Sequence, residues 1–339
     1  MTRFFAHANY DFISLRRYAY GLTAAIMVPG LLWILFTGLN YSIEFTGGTL
    51  EQIRTVQPSS AGAIRSALDK GGLHGAEIEQ FGVNTEYVIR ARLSPTAAVN
   101  QQQADRTSAA VDTALTRAFG PNSYTVERVE AVGPKVGGEL RQKAFLAILA
   151  SFLLTLVYLA FRFEFRFGVA ATVATAHDIL TTMAFIKYMH LEVSLVVVAA
   201  ILTVVGYSLN DTIIIFDRVR ENLHKYKRDD LPGILNRSVN ETLPRSVLTH
   251  GTTMATTLAM LVFAGEVIRP FAWVMTFGIF TGTFSSIYIA SPVLLAIEHR
   301  WPGKEARGVR ARVVAAGGSR PAPVVAPVAP PPRQPAGKR

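Results

Sequence analysis

Half of the 339 residues are apolar and only 17% are Asp, Glu, Lys or Arg, too few charges to clothe a soluble globular protein of this size; a polytopic membrane protein is the class that fits. The formal charge of +10 resembles a nucleic-acid signal, yet residues 300–339 hold nine Lys/Arg against one Glu and supply +8 of it, so most of the basicity is a tail suited to anionic lipid, and nucleic-acid binding is not predicted. The absence of cysteine excludes disulfides, thiolate metal sites and thiol catalysis.

Cutting the chain at its charges predicts six membrane spans: Tyr18–Ile43, Ala144–Phe161, Phe167–Ile186, Val193–Phe216, Ser246–Gly265 and Phe271–Ile297, the third and fourth interrupted only by His177, Asp178 and Asp211. Each is long enough for a helix to cross the hydrocarbon core, which takes about 17–25 residues. The first run is read as a retained helix, not a cleaved signal peptide, because it is long, contains Pro29 and ends without a small-x-small site. Lys and Arg collect before the first span, between the second and third, and between the fourth and fifth (Arg218 to Arg245), which predicts cytoplasmic termini and a multi-pass protein of the cytoplasmic membrane.

Residues 1–17 are thus a cytoplasmic N-terminus, 18–39 the first helix, 40–139 a polar insert, and 140–299 the rest of the bundle. In the insert nine Lys/Arg nearly balance eleven Asp/Glu. Its pattern predicts strand 49–56, helix 59–70, strand 76–81, strand 86–93, helix 95–119 and strand 124–131: Ile64 and Leu68, then Val111 and Leu115, recur at helical spacing, and Tyr87 to Arg92 alternates. A βαββαβ order is that of a small ferredoxin-like α+β domain, here outside the cytoplasm. Gly47 and Gly48 at its entry, and Gly133, Gly137 and Gly138 at its exit, are either turns or hinges. Residues 300–339, with seven prolines from Pro321 onward, have little to pack and are expected to be a disordered basic tail.

An ionised side chain inside a bilayer costs ~3 kcal/mol or more, so Asp178 and Asp211 are the first candidates for function. At ~1.5 Å per residue Asp178 lies near mid-membrane, whereas Asp211 and His250 share a level roughly 8 Å from the inner edge, within reach of Arg245. A mobile guanidinium beside a desolvated carboxyl can switch it between proton-holding and proton-releasing forms, the chemistry of a relay. Bland readings stand beside this one. Asp211 could glue the bundle together with Asn210, Asp178 could be satisfied by His177 and nearby threonines, His250 could be packing, and Arg245 a flanking charge. On span six Gly278, Gly282, Ser285 and Ser286 are spaced for close contact with another span or subunit.

Phe45-Thr46-Gly47-Gly48, Val132-Gly133-Pro134-Lys135-Val136-Gly137, His177-Asp178, and above all Val205 to Thr212 (VGYSLNDT) running into Phe216 to Asn222 (FDRVREN) resemble the SecF branch of the SecD/SecF family, within the RND superfamily, over about residues 10–299. Glu44 departs from the Asp common there but keeps the charge. The resemblance implies a non-enzymatic subunit that pairs with SecD beside the SecYEG channel, with YajC or YidC as further neighbours, and uses the proton-motive force to help move preproteins across the membrane. It implies an RND-type half bundle, protons as the coupling ion with no cofactor or metal, Asp211 as the proton-binding acid and Arg245 as its basic partner. His177, Asp178, Asn210 and His250 are auxiliary candidates. A small-molecule or lipid exporter subunit of the same superfamily is the nearest alternative. An intramembrane aspartyl protease is disfavoured by the depth mismatch of the two acids.

Overall fold

The computed structural model describes residues 8–74, 76–80, 83–91, 101–226, 229–265 and 267–301, so the proline-rich tail lies outside the described residues, as do the ends of several predicted insert elements. Six helices are long and apolar enough to cross a membrane. Helix α1 (Arg16–Thr37) leads into a single turn, α2 (Ile43–Thr46), and then the insert. Its elements are β1 (Gly48–Thr55), α3 (Ala61–Lys70), β2 (Glu77–Gln80), β3 (Glu86–Ala91), α4 (Gln101–Phe119) and β4 (Tyr124–Val132).

The sheet order is β2-β3-β1-β4 with every neighbouring pair antiparallel, the arrangement of a ferredoxin-like fold. Alternate β1 residues, Thr49, Glu51, Ile53 and Thr55, are buried, as one covered face requires. Ile53, Tyr87 and Ile89 from that face meet Ile64 and Leu68 of α3 and Val111 and Leu115 of α4 in a separate apolar core.

The chain returns through α5 (Pro134–Arg162), α6 (Phe165–Tyr188), α7 (Leu195–Lys225), α8 (Leu231–Phe263), α9 (Arg269–Ser285), a π-helical turn (Ser286–Ala290) and α10 (Ser291–Arg300). Gly133 as N-cap and Pro134 in the first turn start α5 inside the predicted insert boundary, since a proline there loses no helical hydrogen bond. Helices α6, α7 and α9–α10 bury more than half of their apolar stretches; α1, α5 and α8 turn most of theirs outward. On α5, Phe145, Leu149, Leu153, Leu154 and Phe161 are exposed, a surface for lipid or another protein.

Two features depart from the sequence reading. Helices α7 and α8 continue past the last uncharged residues as a hairpin, where a charged connection was expected. Val219, Leu223, Ile234, Leu235 and Val239 extend the core, while Arg218 pairs with Glu241 at 2.6 Å and Asn222 donates to Ser238 at 3.0 Å. Charged residues stay helical because their partners lie on the facing helix. The sixth span is not one uniform helix either. Pro292 cannot donate a backbone N–H and crowds the preceding turn, and the chain widens into the π turn just before it.

Candidate functional site

Helix α7 is the shared wall of two polar clusters. On one side, Ser246 of α8 donates to Asp211 Oδ1 at 2.5 Å. Asp211 is 2% exposed, and its Oδ2 has no hydrogen-bond partner among the described residues. His250, one turn further along α8, is also buried and its Nδ1 is likewise unpartnered. Arg245 and His250 are both close enough for their charges to act on Asp211. Arg245 itself is exposed and makes no ion pair among the described residues. Pro244 lies immediately before it inside α8 and removes one rung of the backbone ladder at this level. Tyr207 donates to Thr249 O at 3.1 Å and to Thr253 Oγ1 at 2.9 Å, and its ring meets the His250 ring edge-on at 5.3 Å.

The second cluster lies across α7. Asp178 of α6 is fully buried and takes three contacts: Ser208 of α7 donates to Oδ2 at 2.5 Å, Ser285 of α9 to the same oxygen at 2.7 Å, and His177 Nδ1 lies 3.0 Å from Oδ1. Thr181 supports the His177 ring, and the hydroxyls of Thr212 and Ser286 meet at 2.8 Å between α7 and the π turn. The close crossing depends on glycine. A Cβ on Gly278 would fall 2.2 Å from Val204, and one on Gly282 would fall 2.8 Å from Ser208. The small residues of the sixth span therefore pack against the fourth.

The predicted residues thus divide. Asp211, Arg245 and His250 meet in one cluster, and His177 and Asp178 in the other. Asn210 joins neither, because a step of ~100° around the helix from Asp211 turns it to the exposed side of α7. Ser246, Ser208 and Ser285 are the residues that sequence reasoning missed as acid partners. The available signals were indirect: Ser246 lies four positions before His250 on one helix face, and Ser285 falls among the small residues of the sixth span.

The glycines bracketing the insert have different roles. Gly47 and Gly48 take positive φ, +77° and +145°, and a Cβ on Gly48 would press the Ala91 carbonyl oxygen at 3.1 Å. A Cβ on Gly137 would lie 3.0 Å from Gly47 N and from Phe45 C, so the entering and leaving segments cross in contact. Gly133 is extended, and Gly138 has open space around it. In the insert itself, Glu51 of β1 is 1% exposed beneath α4; Ser108 donates to its Oε2 at 3.0 Å while Oε1 is unpartnered among the described residues. Desolvation, with Asp112 adding to it, pushes the Glu51 carboxyl up to about 7. Among the described residues no group of three or more His, Cys, Asp or Glu is placed to hold a metal.

Residues 111–300 match the family described as protein export membrane protein SecD/SecF, C-terminal, and residues 32–59 match the SecD/SecF GG motif. A protein translocase subunit SecF of Gemmatimonas aurantiaca is 56% identical over 317 residues, covering 92% of this chain and 95% of that protein. The Magnetococcus marinus SecF is 40% identical over 298 residues, covering 88% and 95%. Among solved structures, SecDF from Thermus thermophilus, a translocon-associated membrane protein, superposes with a TM-score of 0.76 at 35% identity; the match covers 87% of this chain and 39% of that longer one. A super-membrane-facing form of SecDF matches with a TM-score of 0.64, covering 89% and 40%. With six spanning helices, the insert after the first, and these relatives along nearly its whole length, the chain belongs to the SecD/SecF family of protein-export membrane proteins, on its SecF side.

Proposed function

We propose that the chain is the SecF-side half of a proton-driven export machine of the cytoplasmic (inner) membrane, with both termini cytoplasmic and the ferredoxin-like domain outside. It pairs with SecD and works beside SecYEG, with YajC or YidC as neighbours, and helps draw preproteins outward. The outward apolar faces of α1, α5 and α8 support a half bundle completed by a partner. The charge bias supports the orientation: Arg162, Arg166, Arg218 and Arg220 gather at the end away from the domain.

The observation that carries this reading is Asp211, a carboxyl buried in apolar helix with one oxygen held by Ser246 and the other unpartnered among the described residues. A group that is only half satisfied has room to bind a proton at Oδ2, and Arg245 and His250 supply the nearby charge that biases gain against loss. No metal or cofactor takes part; the proton is the coupling ion. A proton falling through 100 mV releases about 2.3 kcal/mol, enough to shift a two-state packing between α7 and α8.

Asp211→Asn in the assembled complex is expected to abolish gradient-dependent export while the protein still inserts at its normal level. Export by that variant at the wild-type rate refutes the proposal.

A further inference from the structure

The insert has two covalent connections to the bundle, and its entry passes through Gly47-Gly48, so it looks free to swing. Its non-covalent contacts are different. Glu44, in the single turn α2, accepts a hydrogen bond from the backbone N–H of Leu195, the first residue of α7, at 2.6 Å. That N–H has no acceptor within its own helix, and a carboxylate there also meets the positive end of the helix dipole. The segment on either side is stitched to the α6–α7 connection: Val193 N donates to Asn40 O at 2.7 Å, Ser42 N donates to Val193 O at 3.0 Å, and Tyr41 bridges Val193 in parallel. Lys187, buried at the end of α6, donates to Gly38 O at 2.7 Å. From the domain itself, Arg90 of β3 pairs with Glu192 at 2.7 Å.

We infer that Glu44 is a positioning residue that clasps the turn just before Gly47-Gly48 to the start of α7, so that the helix carrying Asp211 moves the root of the outer domain directly, while the Arg90–Glu192 pair carries that shift past the two glycines. This rests on the proton-driven reading of Asp211. Asp211 lies midway along α7, roughly 24 Å from Leu195 at ~1.5 Å per residue, and a continuous hydrogen-bonded helix joins it to the clasp. A bare glycine hinge between helix and domain would dissipate a shift of α7. A carboxylate on its first amide, backed by a strand-like seam and an ion pair, transmits it.

The test uses the full chain in its membrane complex and compares wild type, Asp211→Asn, Glu44→Ala and Glu44→Asp by gradient-dependent export and by hydrogen exchange. Glu44→Ala should speed exchange at the Leu195 amide about fivefold, as expected for loss of a helix-capping acceptor, and lower gradient-dependent export at least as much. Glu44→Asp should restore both. Asp211→Asn should alter exchange in β1 when Glu44 is present and leave it unaltered in Glu44→Ala. Wild-type export by Glu44→Ala, with Asp211→Asn inactive, overturns the clasp and leaves the proton reading standing; normal export by Asp211→Asn removes the proton reading itself. Should Glu44→Ala fail to accumulate, a Tyr41→Cys/Val193→Cys pair in this cysteine-free chain locks the same seam. Full export with that disulfide formed supports the clasp, and a block relieved by reductant overturns it.

Discussion

Two aspartates lie on either side of α7 in surroundings of nearly equal depth of burial, yet only one is complete. Asp178 has Ser208, Ser285 and His177 around its two oxygens. Asp211 has Ser246 on one oxygen and nothing on the other among the described residues. A fully satisfied buried carboxyl is a structural node, tying three helices at one point. A half-satisfied one is a place where something arrives and leaves. The difference lies in hydrogen-bond accounting rather than residue type, and under the proposed function it separates a proton-carrying acid from a structural one.

The largest effect that can break this comparison is on stability. Asp178→Ala removes the acceptor that Ser208 and Ser285 share and the partner of the His177 ring inside the bundle, and is expected to destabilise the protein by about 3 kcal/mol, in the range for breaking a buried polar cluster. It should appear as reduced accumulation and an earlier thermal transition in detergent. Asp211→Asn should leave that transition within about 1 kcal/mol of wild type, because the amide oxygen still accepts from Ser246. Equal losses of stability in the two variants erase the distinction.

How much of this was legible beforehand follows from what each signal depends on. The six spans needed only hydropathy and length, and the ferredoxin-like order needed only alternation and turn residues, so both could be read locally. The shared level of Asp211 and His250 needed only the helical rise. The serines were illegible because a hydroxyl in an apolar helix does not announce which neighbour it faces. That is decided by the α7–α9 crossing, which Gly278 and Gly282 permit by admitting Val204 and Ser208. Asn210 was grouped with Asp211 by adjacency, which around a helix means facing away. The Glu44 contact spans 151 positions of sequence, and nothing near Glu44 marks Leu195 as its donor.

Glu51 sharpens the comparison outside the bundle, where pH can be set directly. Like Asp211 it is buried with one oxygen unpartnered among the described residues. Burial pushes its carboxyl up from the ordinary glutamate value of 4.5 to about 7, so the folded domain binds a proton that the unfolded chain has already released across that window. Stability should therefore fall as pH rises from 4.5 toward 7 and level off above it, by roughly 2 kcal/mol. Glu51→Gln should flatten this slope and raise the stability of the domain at pH 8. Hydrogen exchange in β1 and α4, measured at pH 6 and pH 8 and corrected for intrinsic rates, checks it. A slope unchanged by the substitution assigns the pH dependence elsewhere.

Single serine removals test the accounting at finer grain. Ser208→Ala leaves Asp178 with Ser285 and His177, so it should cost about 1 kcal/mol of stability, the usual worth of a hydrogen bond between membrane helices, and leave the pH profile of export in place. Ser246→Ala removes the only donor to Asp211 among the described residues, and its main effect should be a displaced pH profile. Exchanged outcomes, with Ser208→Ala displacing the profile and Ser246→Ala only weakening the fold, reverse the roles of the two acids.

The smallest effect belongs to the remaining side of α7. Asn210 faces outward between the two acid clusters and makes no side-chain hydrogen bond among the described residues, so Asn210→Ala should change the stability of the isolated chain by less than about 0.5 kcal/mol. A polar amide exposed on a membrane-spanning helix is costly against lipid and well suited to a partner helix, where it can donate and accept at once. Retention of SecD during detergent purification is the measurement, because it reads that face directly while thermal unfolding of the isolated chain does not. Weaker retention with unchanged unfolding makes Asn210 a contact between subunits, beside the relay and outside it. A lowered transition in the isolated chain instead places its partner within the same bundle and removes the outer face from the comparison.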